Sequence, residues 1–136
     1  MRTKVAAYAV VVGFILATGS AIAHHSFAAE FDASQSFNLK GTVTKIEWTN
    51  PHTYFYLDVT ESDGQVANWG MEMGSPNGLM RQGWTRNTLK VGDVVSVEGS
   101  RAKDKAHIGN ARVVVLAATG KRLFAASSQT DPTPQR

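Results

Sequence analysis

The segment from His52 to Met73 does most to limit what this chain can fold into. In "HTYFYLDV" the apolar Phe55, Leu57 and Val59 alternate with Tyr54, Tyr56 and Asp58. That is the period of a strand with one face in a core and the other aromatic and polar. The following "TESDGQ" contains Asp63-Gly64, a pair suited to a tight turn because glycine accepts the positive φ such turns demand. Val66 to Met73 is therefore expected to return antiparallel to His52–Val59.

The surrounding chain repeats this pattern of short β-like runs broken by turn residues. "NLKGTVTKIEW", Asn38 to Trp48, carries Leu39 and Val43 on one parity and Ile46 and Trp48 on the other. Such a switch implies a bend or bulge between them, with Gly41 a candidate point. Asn50-Pro51 reads as a turn. Ser75 reads as an N-cap, Pro76 as the first helical residue and Gly83 as a stop, which predicts a short helix over Pro76–Gln82. "LKVGD" turns into a strand from Val94 to Ala102, Asn110 to Ala117 makes the last full strand, and "TGKRLF" adds a short return.

Three strands, a helix and two strands match the all-β, five-stranded OB-like barrel, in which a helix between strands 3 and 4 plugs one end. A small sandwich gives a similar string without that helix.

Ahead of the barrel, Arg2 and Lys4 precede an apolar run from Val5 to Ala17, and Ala21 and Ala23 fit a small-x-small cleavage site. This is the pattern of a secretory signal peptide, residues 1–23. The run is short against the roughly 20 residues that span a bilayer, so no stable membrane anchor is expected after cleavage. The destination is periplasmic or secreted. Cutting after Ala23 removes 23 of 136 residues and leaves 113, room for one domain. Residues 24–37 read as an extended arm, 38–124 as the barrel and 125–136 as a disordered tail.

Two of the 14 basic side chains, Arg2 and Lys4, leave with the signal, so the mature chain sets 12 against 11 acidic ones. Nucleic-acid binding needs clustered Lys and Arg, and no nucleic-acid partner is expected. There is no cysteine, which excludes disulfides, thiolate metal sites, thioether haem attachment and cysteine nucleophiles.

No complete catalytic set is present. The chain lacks a Gly-x-Ser-x-Gly elbow, a Walker lysine loop and a dinucleotide fingerprint. Nothing in the spacing brings Glu47 and Glu72 together as an acid/base pair, and both read as exposed strand carboxylates.

Histidine offers the candidate metal ligands. After cleavage His24 carries a free α-amine beside its imidazole, a chelating pair. Copper(II) favours nitrogen donors in a tetragonal plane, and His25, His52 or His107 can supply a third nitrogen. The metal candidates are thus His24, His25 and His52, with copper the cofactor they suit. His107, in a polar loop, reads as solvated. Met71 and Met73 share a strand parity and form a thioether pair suited to copper(I), or fill the core. Trp48, Tyr54, Tyr56 and Trp69 lie on strands that in an OB barrel form the ligand-binding face. The tryptophans equally suit a core.

At "AHHSFAAEFD", "WTNPH", "NW", "GSPNGLMRQGWT" and "GDVVSVEG" the chain resembles the small exported bacterial proteins of domain of unknown function family 6152. The matched positions are His24-His25-Ser26-Phe27, Trp48 to His52, Gly74 to Asn77 and Gly83-Trp84. The resemblance implies a periplasmic, OB-like single domain and supplies no activity. The resulting expectation is an OB-type binding module for a small molecule or a periplasmic protein. The alternatives are a copper-binding protein using His24 and His52, and an accessory subunit docking on a periplasmic redox enzyme.

Overall fold

The computed structural model describes residues 27–126, so the expected signal peptide, His24, His25 and the expected tail from residue 127 lie outside the described residues. Residues 27–30 are helical and belong to a different compact unit from the one that starts at Phe31.

From Phe31 the element order is β1 (Phe31–Glu47), β2 (Tyr54–Thr60), β3 (Val66–Glu72), α1 (Pro76–Arg81), β4 (Val94–Ala102), β5 (Ile108–Leu116) and β6 (Arg122–Phe124). The sheet order is β3-β2-β1-β4-β5-β6, and an added β3–β5 pairing closes the ring. All pairs are antiparallel except this closing one, Gly70–Glu72 against Ile108–Asn110, which is parallel. The five-stranded OB-like barrel is thus present, with β6 as a sixth strand lying on the second half of β5.

The hairpin forms as its sequence requires. Thr60 pairs with Val66 and Tyr54 with Glu72, Gly64 takes φ 82°, and Glu61 N–H donates to Gln65 O at 2.8 Å. The helix starts where the cap places it, Ser75 Oγ accepting from Gly78 N–H at 3.2 Å.

Two expectations for the first strand need amending. It begins at Phe31, not Asn38, so half of the expected arm is paired strand, Phe37 lying opposite Gly99. The parity switch is real, but the register slips between Val43 and Lys45, at Thr44 and not at Gly41. Gly41 has a different duty. A Cβ there would overlap Asp58 O and lie 2.9 Å from Leu57 Cδ1, so its bareness lets β2 approach.

Phe55, Leu57, Val59, Met71, Val95, Val97 and Val114 fill the barrel, all under 5% exposed. Met71 and Met73 are core residues, in line with methionine's use as a gap filler. Leu79, Trp84 and Leu89 enter the same core from α1 and the loop after it. They close the end where β1 finishes, β2 starts and β3 finishes. Trp84 is fixed there by its indole N–H, 2.7 Å from Phe124 O.

Candidate functional site

The structure gathers polar chemistry in two places: a carboxylate row on the outer face of β1, β2 and β3, and the barrel end opposite α1.

The row follows from hairpin register. Glu47 pairs with Tyr54 across β1 and β2, and Tyr54 with Glu72 across β2 and β3, so the three share one face. Glu72 is not an exposed strand carboxylate: it is 5% exposed. Tyr54 Oη donates to its Oε2. His52 Nδ1 lies 3.0 Å from Oε1, and Asn110 Nδ2, from the neighbouring β5, donates to Oε1 at 3.4 Å. Burying a carboxylate requires this many partners, because its lost hydration must be replaced.

Beside it Glu47 accepts from Tyr56 Oη at 3.0 Å and pairs with Lys45. Lys45 and then Tyr56 hold the Glu47 carboxyl below the usual carboxylate range, and Glu47 in turn raises Lys45. Burial, then the Glu47 bond, pushes the Tyr56 phenol above its ordinary value. Gly70 makes room for the Tyr56 ring, since a Cβ there would lie 3.3 Å from Tyr56 Cε1.

Among the sequence candidates, His52 and Tyr54 therefore meet on Glu72. Tyr56 sits next to them on Glu47. Both tyrosines are half-buried. Trp48 is apart from this group, packed against the core. Among the described residues no group of three or more His, Asp or Glu side chains is placed to hold a metal ion.

Trp69 belongs to the other place. It is 3% exposed and forms part of the wall of a cavity of about 380 Å³. The cavity opens where β1 and β3 begin and where β2 and β4 finish. Phe37, Leu39 and Val59 supply its apolar wall, and Glu61 and Arg101 its charges. Phe37 is seated by missing side chains: a Cβ on Gly99 would lie 2.9 Å from its Cζ, and one on Gly109 2.6 Å from it. The Trp69 ring is 5.9 Å from Phe37 and 5.0 Å from the His107 ring. The Arg101 guanidinium lies 5.0 Å from the Trp69 centroid, within cation–π range. Glu61 Oε1 accepts from Trp69 Nε1 at 3.2 Å and meets His107 Nε2 at 3.3 Å. His107, read as solvated, is exposed, and its ring leans on Trp69 and Glu61 of this wall.

Sequence reasoning missed Arg101, Glu61, Phe37, Glu72 and Asn110 as site residues. Hairpin register was the available signal for Glu72: counting back from Thr60–Val66 puts Tyr54 opposite it. Nothing local marks Arg101 or Phe37, which meet Trp69 only through barrel closure.

With this geometry in hand, comparison with known proteins adds a family. The model of a family of unknown function (DUF6152) matches residues 12–111, well over half the chain. The chain belongs to this family. No curated protein matches it. Among solved structures, the chain is similar to a mitochondrial single-stranded DNA binding protein from S. cerevisiae, Rim1. The likeness has 12% identity and TM-score 0.48, covering 61% of this chain and 93% of that one.

Proposed function

We propose that this DUF6152 protein is an exported binding module that takes a small ligand into the open end of its barrel. The observation that carries the reading is the asymmetry of the two ends. Leu79, Trp84 and Leu89 fill one, whereas the other keeps a cavity of about 380 Å³ with apolar and charged walls. Small-molecule sites run from about 300 to 1,000 Å³ and combine apolar lining with a few placed polar groups. The cavity therefore suits a compact ligand of one ring or an equivalent branched chain.

The test is a thermal-shift screen of the mature protein against small metabolites, repeated on Ser36→Trp. Ser36 is exposed and lines the cavity, so an indole there obstructs the mouth without disturbing buried residues. Compounds that raise Tm in the parent and not in Ser36→Trp support the reading. Hits unaffected by Ser36→Trp refute it.

One observation favours a second reading, copper binding through His52. Metal-binding histidines commonly give their second ring N–H to a carboxylate, which orients the ring. His52 Nδ1 lies 3.0 Å from Glu72 Oε1, placed for such a contact, and its side chain remains 32% exposed. The His52 Nε2 atom is then the ligand, joined by the α-amine and imidazole of a processed His24. Copper(II) titration of the mature protein is expected to lose most of its affinity in His52→Ala and in a form extended by one residue ahead of His24. Equal affinity in all three forms would remove both groups from the site.

A further inference from the structure

We propose that the cavity's ligand is an amino-acid-type zwitterion with an apolar side chain, its carboxylate on Arg101 and its ammonium on Glu61. This rests on the reading that the open barrel end is the binding site, and it names the ligand's chemistry.

The cavity carries two formal charges of opposite sign, both anchored on Trp69. Arg101 stacks on the indole face and Glu61 takes the indole N–H. Neither is paired with the other. Arg101 makes no ion pair among the described residues, and its side chain donates one hydrogen bond, from Nη2 to Lys105 O at 3.0 Å. Its Nε is buried without an acceptor among them. A guanidinium has five N–H donors in a planar fork suited to a carboxylate, so most of its capacity is unspent. On the other wall Glu61 Oε1 accepts from Trp69 and lies 3.3 Å from His107 Nε2. Its Oε2 has no partner among the described residues and can take an ammonium.

Single-charge ligands fit less well. An organic anion placed on Arg101 leaves Glu61 Oε2 without a cation, and an amine placed on Glu61 faces Arg101. Such like-charge juxtaposition is how sites discriminate. A zwitterion answers both walls, and its apolar side chain lies against Phe37, Leu39 and Val59, where burial of carbon surface adds to binding.

Isothermal titration of the mature protein with leucine, phenylalanine and tryptophan, each beside its deaminated acid and its decarboxylated amine, tests this. At least one amino acid is expected to bind, with its acid and amine each about tenfold or more weaker, because each leaves one charged wall unpaired. Glu61→Gln should remove the advantage over the acid and Arg101→Gln the advantage over the amine, with Tm measured to confirm folding. If an acid binds as well as its amino acid and Glu61→Gln changes nothing, the zwitterion proposal is overturned while the cavity reading stands. If none of the nine compounds binds, the zwitterion proposal is overturned. The Ser36→Trp screen then decides separately whether the cavity binds anything.

Discussion

Replacing Glu72 separates a buried, partnered carboxylate from the exposed one its strand position suggests. Its side chain is 7% exposed, accepts from Tyr54 on β2 and Asn110 on β5, and lies 3.0 Å from His52 Nδ1 in the loop before β2. In Glu72→Ala all three groups lose their partner. Tyr54 and His52 are half-buried and can turn to water, so each loss costs about 1 kcal/mol, the net worth of an ordinary hydrogen bond. Asn110 is 2% exposed and cannot, leaving a buried donor unmet at a further 1–2 kcal/mol or so. The expected total is about 3 kcal/mol, somewhat reduced because a buried charge is also removed. Glu72→Gln keeps the shape and one carbonyl for His52 and Asn110, and the Tyr54 hydroxyl can accept from the new amide. Its cost is expected near 1 kcal/mol. Urea unfolding of both variants measures this, as a fall in midpoint at unchanged slope. A Glu72→Ala cost within about 0.5 kcal/mol, typical of surface substitutions, would refute the arrangement.

Other consequences are equally direct. Thr53 Oγ1 is buried without a hydrogen-bond partner among the described residues, so Thr53→Val should stabilise by about 1 kcal/mol in the same unfolding assay. Gly99→Ala drives a Cβ into Asn110 O and against Phe37; a loss of about 3 kcal/mol is expected, with weakened ligand binding as Phe37 is displaced. The Glu47 carboxyl is depressed by Lys45 and Tyr56, so its contribution is present above the ordinary carboxylate pKa and fades as pH falls through the folded value. Lys45 and Tyr56 are raised, so theirs is present below their ordinary values and fades as pH climbs through the folded ones. Glu47→Gln should therefore flatten the Tm–pH profile at both the acid and the alkaline limb, and an unchanged profile would dissolve the network.

What the sequence disclosed and what it concealed divide along a physical line. Alternation and turn chemistry act within a few residues, so the β2–β3 hairpin, the Ser75 cap and the β4 strand from Val94 to Ala102 were legible. The shift of the bulge from Gly41 to Thr44 was not, because Gly41 is required by the approach of Asp58 and Leu57 from another strand. The early start of β1 rests on pairing with β4, Phe31 lying opposite Ala102 and Phe37 opposite Gly99. At the sites, Tyr54 and His52 were singled out by type, yet their common partner Glu72 was read as exposed. Its burial depends on Asn110 arriving through the β3–β5 closure, and the cavity charges meet only when the ring closes over Trp69.

The most direct test of the binding reading uses the indole N–H signals of the three tryptophans in proton–nitrogen correlation spectra. The Trp69 N–H is held by Glu61 at the cavity, whereas the Trp84 N–H is held by Phe124 O at the plugged end. Titrating the mature protein with the nine amino acids, acids and amines, at least one compound should move the Trp69 signal and leave Trp84 in place. That shift should vanish in Ser36→Trp. Trp69 shifts that persist in Ser36→Trp would contradict a ligand site at the open end of the barrel, and a Trp69 signal unmoved by all nine compounds would contradict the zwitterion.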